Sequence, residues 1–295
     1  MDKKLMGVFA PITTPFTADQ KVDYDGLEKN MAYYAKARIQ GYLALGSNGE
    51  NKSLTNDEKI EVLRIIIENK RADQTVMAGC IFESTFETIE YAKKFAAMGA
   101  DYLTLLPPSY FKRQMTDDVL VKYFTDVASA VTTPCLVYNA PQFCAGTTLS
   151  VKLVKEISSH PNIVGIKDSS TGNIEKYLFA ARDKMSVMAG SANFFMTTLL
   201  MGGTGGIVSL ANAFPDIVAD LYELVVAKDY EKAFALNERV FQMNSAVSGK
   251  GGVAAVKYAM DLAGLAGGDP RLPLLPLGED IKKEIKSYLV NAGMI

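Results

Sequence analysis

Lys167 and Tyr138 are the two side chains of this sequence whose surroundings suggest covalent chemistry. Lys167 closes the short apolar run Ile163-Val164-Gly165-Ile166 and is followed by the polar turn Asp168-Ser169-Ser170. About thirty residues upstream, the apolar run Pro134-Cys135-Leu136-Val137 ends in Tyr138 and the turn Asn139-Ala140-Pro141. A lysine attacks a ketone only as the free amine, a form that burial at an apolar strand end favours. The water lost in making the imine needs a proton relay, and a positioned tyrosine hydroxyl can both give and take a proton. Taken singly, Lys167 is equally a lysine that has run out of strand and reached solvent. With the tyrosine, two strand ends offer an amine and a phenol to one mouth, which points to imine chemistry on a keto acid.

The elements that must position this pair alternate along the chain. Short apolar runs, expected as strands near 7–12, 42–45, 75–80, 101–106, 134–138, 163–167, 186–189 and 205–208, are separated by longer patterns of helical period. That alternation is the signature of repeated βα units around a parallel sheet. Eight strands in 295 residues predict an α/β fold, a (β/α)8 TIM barrel of about 250 residues with a C-terminal helical appendage. A doubly wound sheet is the competing arrangement, but it usually has fewer strands and needs a topological switch point. The barrel core with its site is expected over 1–214, and the last barrel helix and appendage over 215–295, where Pro215 opens helix patterns without intervening strands. Thr55-Asn56-Asp57-Glu58 is a capping signal, and Ile60, Leu63 and Ile67 behind it form a one-sided core stripe among charged residues.

Composition narrows the function. With 48% apolar residues the chain buries a large core, and a net charge of -2 gives no attraction to nucleic acid or anionic lipid. The N-terminus Met1-Asp2-Lys3-Lys4 leads straight into a strand, so neither signal peptide nor membrane span is expected and the reading is cytoplasmic. His160 is the only histidine, which removes most zinc, iron and serine-triad schemes; a solvated helix-end role is expected for it. Cys80, Cys135 and Cys144 lack metal spacing and read as small buried hydrophobes. No metal and no organic cofactor is expected.

In a barrel of this kind chemistry lies where strand carboxyl ends meet the βα loops. Gly46-Ser47-Asn48-Gly49-Glu50, after the second strand, either aims backbone N–H groups and hydroxyls at an anion or simply makes a tight turn. Gly202-Gly203-Thr204-Gly205-Gly206 looks like a phosphate cradle, but it lacks the Lys-Ser/Thr ending of a P-loop and runs into a strand rather than out of one. Close packing is expected there, with the strand end at Ile207 against substrate. Gly249-Lys250-Gly251-Gly252 and Gly264 to Gly268 are read as loops joining appendage helices.

Gly46-Ser47-Asn48-Gly49-Glu50, Tyr138-Asn139-Ala140-Pro141 and Gly165-Ile166-Lys167-Asp168-Ser169, in this order and spacing, resemble the dihydrodipicolinate synthase and N-acetylneuraminate lyase family. The likeness runs from Pro11-Ile12-Thr13-Thr14-Pro15-Phe16 to Asn291-Ala292-Gly293. It implies that Lys167 forms a Schiff base with pyruvate and that Tyr138 relays protons. Ser47 and Asn48 would grip the pyruvate carboxylate, with Thr14 close beneath. A second family tyrosine, reaching across a dimer interface, is assigned to Tyr110, although a shift of one residue puts Phe111 there. The resemblance also implies a homotetramer built from dimers.

Substrate choice turns on departures from the pattern. Dihydrodipicolinate synthases are expected to carry an arginine shortly after the tyrosine motif for the carboxylate of aspartate semialdehyde, and this chain reads Pro141-Gln142-Phe143-Cys144. A missing charge-assisted pair of that kind is worth about 1.5–3 kcal/mol. Ser47-Asn48, Lys167-Asp168-Ser169 and Asn244-Ser245-Ala246-Val247 look more like 4-hydroxy-2-oxoglutarate aldolase, in which Asn48 and Ser169 would supply neutral donors to a second carboxylate. The expected partners are therefore pyruvate and an aldehyde. The order of readings is aldolase of a short hydroxy-keto acid, then synthase, then lyase of N-acetylneuraminate or another sugar acid, with a non-catalytic keto-acid-binding protein last.

Overall fold

The computed structural model describes residues 2–295. Eight parallel strands, β1 (Gly7–Pro11), β2 (Gly41–Ala44), β3 (Thr75–Cys80), β4 (Tyr102–Leu105), β5 (Cys135–Asn139), β6 (Ile163–Asp168), β7 (Ser186–Ala189) and β8 (Gly205–Ile207), pair in sequence order. β8 returns to β1, with Gly205 opposite Gly7, and closes the (β/α)8 barrel. Each strand lies within a residue of its expected bounds. All but one of the strand residues are buried, because barrel interior and helices cover both faces, and this is why the strands read as continuous apolar runs without alternation.

The helices α1 (Tyr24–Tyr34), α2 (Asn56–Asn69), α3 (Thr85–Ala97), α4 (Asp117–Ser129), α5 (Val151–Ile157), α6 (Ile174–Ala180), α7 (Phe195–Leu200) and α8 (Pro215–Val226) each follow one strand. Pro215 stands in the first turn of α8, where its missing N–H costs nothing. Three further helices, α9 (Tyr230–Ser248), α10 (Gly252–Leu262) and α11 (Glu279–Asn291), form the appendage. α9 packs against the turns that follow β7 and β8, and α10 against the turn after β8, so the appendage leans over the carboxyl end of the barrel. Among the described residues no helix is long and apolar enough to cross a membrane.

The core has two main parts. Leu5, Phe9, Leu43, Met77, Tyr102, Leu136, Met188 and Ile207 fill the barrel interior, while a larger cluster lies between strands and helices. Full burial of a side chain of this size contributes roughly 1.5–3 kcal/mol. The glycine cluster before β8 serves packing as expected: a Cβ on Gly205 would stand 2.1 Å from the Gly7 carbonyl oxygen across the strand pair.

The capping signal holds, with Thr55 Oγ1 accepting from the Glu58 N–H at 3.2 Å and Glu58 Oε2 accepting from the Thr55 N–H at 2.8 Å. The stripe behind it differs from expectation. Val62, Leu63, Ile65 and Ile66 are buried, Ile60 and Ile67 only half so, and Lys59 is buried with Nζ over the Phe82 ring. α2 packs on α1 as well as on β2 and β3, so its covered face is wider than a single stripe and takes in a lysine stem.

Candidate active site

Tyr138 and Lys167 are cross-strand partners at the carboxyl ends of β5 and β6. Alternation along each strand turns both side chains into the barrel mouth and the next residues, Asn139 and Asp168, the other way. Lys167 is only 4% exposed, and its Nζ lies 4.3 Å from the centroid of the buried Tyr138 ring. The Tyr138 hydroxyl accepts from Ser169 Oγ at 3.4 Å, and Ser169 Oγ also lies 3.4 Å from the Gly190 carbonyl oxygen. Position 190 tolerates no larger residue here, since a Cβ would come within 1.9 Å of Ser169 Oγ.

Behind the pair, Asn139 Nδ2 donates to Asp168 Oδ1 at 2.8 Å, and the Ser170 N–H and hydroxyl donate to the same oxygen at 3.0 and 2.7 Å. Asn139 Oδ1 accepts the Leu149 N–H at 3.0 Å, which ties the turn after β5 to the start of α5. These bonds lock the register that sets Lys167 against Tyr138. Burial pushes the Asp168 carboxyl above its ordinary range, although the Asn139 and Ser170 donors oppose that shift.

Ser47 and Asn48 line the same cavity as Lys167, Tyr138 and Ser169. Their loop is pinned from several sides: Thr14 Oγ1 donates to the Gly49 carbonyl oxygen at 2.8 Å, and Asn51 Nδ2 donates to the Leu45 carbonyl oxygen at 2.9 Å. Asn48 Nδ2 donates to Ser209 Oγ, just past β8, at 2.8 Å. Thr14 is therefore buried support beneath the loop and does not line the cavity.

The cavity encloses about 810 Å³, well within the range of small-molecule sites. Phe143, 51% exposed, forms part of its wall where an arginine was sought. Another part of the wall comes from beyond residue 214: Gly251 to Ala254 at the start of α10, and Pro273 to Leu275. The site thus spans the expected division between barrel and appendage.

Tyr110 and Phe111 both stand outside the cavity in the single chain, Tyr110 at 81% exposure with its ring edge-on to that of Phe111 at 5.0 Å. The Tyr110 loop is anchored through Glu83, whose Oε2 accepts the Ser109 and Tyr110 N–H groups at 2.8 and 3.0 Å while Lys52 Nζ donates to Oε1 at 2.9 Å. Burial alone would raise this carboxyl, but those donors outweigh it and bring its pKa down to about 2 from 4.5. A carboxylate held below its unfolded value stabilises the fold above that value and loses the contribution as the pH falls toward its folded one. The gap in melting temperature between the wild type and Glu83→Gln is therefore expected to be full near neutral pH and to shrink below pH 4.5. An equal gap from neutrality down to about pH 3 would show that the charge of Glu83 does not anchor the loop.

Ile207 is a correction. It is fully buried among Phe9, Leu43 and Met188 inside the barrel and is not part of the cavity wall; Ser209, two residues on, takes the place expected of it. β8 ends at Ile207 inside the filled barrel, and Ser209 opens the 3-10 turn that follows it at the cavity. His160 is also more than a solvated helix end: its Nε2 is 2.9 Å from Ser129 Oγ and its Nδ1 accepts the Asn162 N–H at 3.2 Å, ahead of β6 and away from Lys167. The three cysteines are buried and free, and burial pushes the Cys144 thiol up to about 11.

Several lining residues escaped the sequence reading. Ser209 and Ser191 were accessible to the rule that strand ends carry chemistry, since they follow β8 and β7 directly. Gly251 to Ala254 and Leu274 carried no such signal, because nothing local to an appendage helix says which barrel loop it will face.

A family model described as the dihydrodipicolinate synthetase family matches residues 4–292. The 4-hydroxy-tetrahydrodipicolinate synthase of Methanosarcina barkeri is 31% identical over 293 residues, covering 98% of this chain and 99% of that protein. A probable mitochondrial 4-hydroxy-2-oxoglutarate aldolase of Emericella nidulans is 35% identical over 273 residues, covering 90% and 88%. Among solved structures, the chloride-inhibited dihydrodipicolinate synthase from Acinetobacter baumannii complexed with pyruvate superposes with a TM-score of 0.93 at 30% identity, covering 99% of this chain and all of that one. A prophage protein of the dihydrodipicolinic acid synthase family from E. coli K12, in complex with pyruvate, gives 0.90 at 29% identity over 98% and 99%.

Proposed function

The chain belongs to the dihydrodipicolinate synthetase family and is a lyase, and from that premise we propose that it cleaves or forms a short 4-hydroxy-2-keto acid through a Schiff base on Lys167. The observation that carries this reading is the buried Lys167 Nζ, 4.3 Å from the Tyr138 ring centroid at the mouth of the barrel. Relatives named as synthase and as aldolase surround the chain at similar identity, so the family alone leaves the aldehyde open.

In this proposal the Lys167 amine adds to the 2-keto carbon and water leaves, giving a protonated imine that acts as electron sink. Tyr138 takes the proton of the 4-hydroxyl, the C3–C4 bond breaks, and an aldehyde departs. The enamine left on Lys167 takes a proton at C3 and is hydrolysed to pyruvate, which frees the amine. Ser47 and Asn48 hold the keto-acid carboxylate through neutral donors, as their loop position beside Lys167 allows.

For the aldehyde half, 4-hydroxy-2-oxoglutarate, which yields pyruvate and glyoxylate, is the substrate of choice. Phe143 in the wall offers no bidentate contact to a carboxylate further out, which disfavours aspartate semialdehyde, whereas Ser169 presents a neutral donor in the same cavity as Lys167. Assembly as a homotetramer of dimers belongs to the same reading, with the exposed Tyr110 ring covered at a dimer contact.

The test has two stages. Pyruvate followed by borohydride is expected to leave a stable adduct on the peptide that carries Lys167; a folded protein without it would overturn the imine reading. Assays of 4-hydroxy-2-oxoglutarate cleavage and of pyruvate condensation with aspartate semialdehyde then compare kcat/KM. At least about a tenfold preference for the first, roughly 1.4 kcal/mol of transition-state discrimination, is expected. The opposite preference would make the chain a synthase.

A further inference from the structure

Glu50 is a charged residue buried at the rim of the site without a part in the chemistry described above. It ends the Ser47-Asn48-Gly49 loop, is 5% exposed, and has a left-handed φ of 52°, unusual for a residue with a side chain. Glu50 lines the cavity too, but both its carboxylate oxygens are bonded to the appendage. Oε1 accepts from Lys257 Nζ on α10 at 2.6 Å, with both side chains all but fully buried. Oε2 accepts the backbone N–H of Arg271 at 2.9 Å.

Each oxygen of this one carboxylate thus grips a different part of the outer wall. Lys257 lies on α10, whose first turn lines the cavity, and Arg271 stands two residues before Pro273, which lines it too. The grip is braced on the far side. Lys257 Nζ also donates to the Asp269 carbonyl oxygen at 3.1 Å, and Arg271 forks onto both oxygens of Glu58 at 2.7 and 2.8 Å. Lys257 Nζ and the Arg271 guanidinium carbon each lie 4.4 Å from the Phe16 ring centroid.

A fully buried ion pair is a poor device for stability alone, because desolvating both charges offsets most of their attraction, and an apolar pair of similar volume often does as well. What it supplies is direction: two fixed bonds at set angles where an apolar contact would slide. We propose that Glu50 is a positioning residue that sets the Ser47-Asn48 loop against the α10 and Pro273 walls, and so fixes the part of the cavity that receives the keto-acid carboxylate. This rests on reading the cavity as an imine-forming site.

The test uses pyruvate alone, so it does not depend on the aldehyde. In Glu50→Gln the concentration of pyruvate that half-saturates borohydride trapping at Lys167 is expected to rise at least about tenfold, while the extent trapped at saturation stays at the wild-type level. Glu50→Gln strands the Lys257 charge, so a fall in melting temperature is expected as well. The double variant Glu50→Gln/Lys257→Met removes that stranded charge. It is expected to recover most of the melting temperature while the half-saturating concentration stays raised, which a purely stabilising role of the pair would not produce. Half-saturation within twofold of wild type in either folded variant would overturn the proposal. Absence of any adduct in the wild type would instead overturn the imine reading.

Discussion

With Lys167 replaced by Ala, pyruvate and borohydride are expected to add no mass to the protein, and turnover of any 4-hydroxy-2-keto acid falls by about 10³-fold or more. The effect is large because the amine is the only group in the proposed reaction that bonds to substrate carbon; without it there is no electron sink when the C3–C4 bond breaks. Two other buried lysines act as internal controls. Lys257 is held by Glu50 at 2.6 Å, and Lys59 lies over the Phe82 ring with Nζ donating to Asn56 Oδ1 at 3.2 Å. Neither lines the cavity, so the wild-type adduct should map to Lys167 and not to them. Near-normal turnover by the Ala variant, or an adduct on another lysine, would remove Lys167 from its role.

Tyr138→Phe is the sharper experiment, since it removes one oxygen and keeps the ring beneath Lys167. If the ring served only to pack against the lysine, the variant would work as well as the wild type. The proton relay requires the hydroxyl, so turnover is expected to drop by about 10²-fold or more, in the range typical of a lost general acid–base group. The hydroxyl's contact with Ser169 is long, at 3.4 Å, so its loss should cost the fold no more than about 1 kcal/mol. Stopped-flow or quench trapping would separate the steps: the adduct at saturating pyruvate still forms, but more slowly. An unchanged rate of imine formation together with unchanged turnover would leave Tyr138 as packing alone.

The barrel was legible because its strands are buried on both faces and its helices on one, and those two burial patterns write themselves into the sequence as short apolar runs and helical periods. The expected strand ends, within a residue of those observed, were enough to place Lys167 and Tyr138 at one mouth. Ser47, Asn48 and Ser169, singled out by the family resemblance, lie on loops after β2 and β6 and line the cavity. The rule that strand ends carry chemistry failed by two residues at β8: Ile207 ends the strand within the filled barrel, and Ser209, at the start of the turn behind it, is the residue that reaches the cavity. On α2 the expected stripe does pack on the core, but the covered face is wider than that stripe, because α1 as well as β2 and β3 lie against the helix.

The sequence by itself therefore determined the frame: which strand ends carry the amine and the phenol on which the proposed chemistry rests, and that eight βα units bring them to one end. Tertiary structure alone decided the rest of the site. That Glu50 binds Lys257, 207 residues on, and that Gly251 to Ala254 and Leu274 line the cavity, depends on contacts between segments far apart in the chain. Local periodicity reports how a segment meets a generic core, through burial of its own face. It carries no information on which distant segment supplies that core, because that choice is made by the packing of the whole barrel against its appendage.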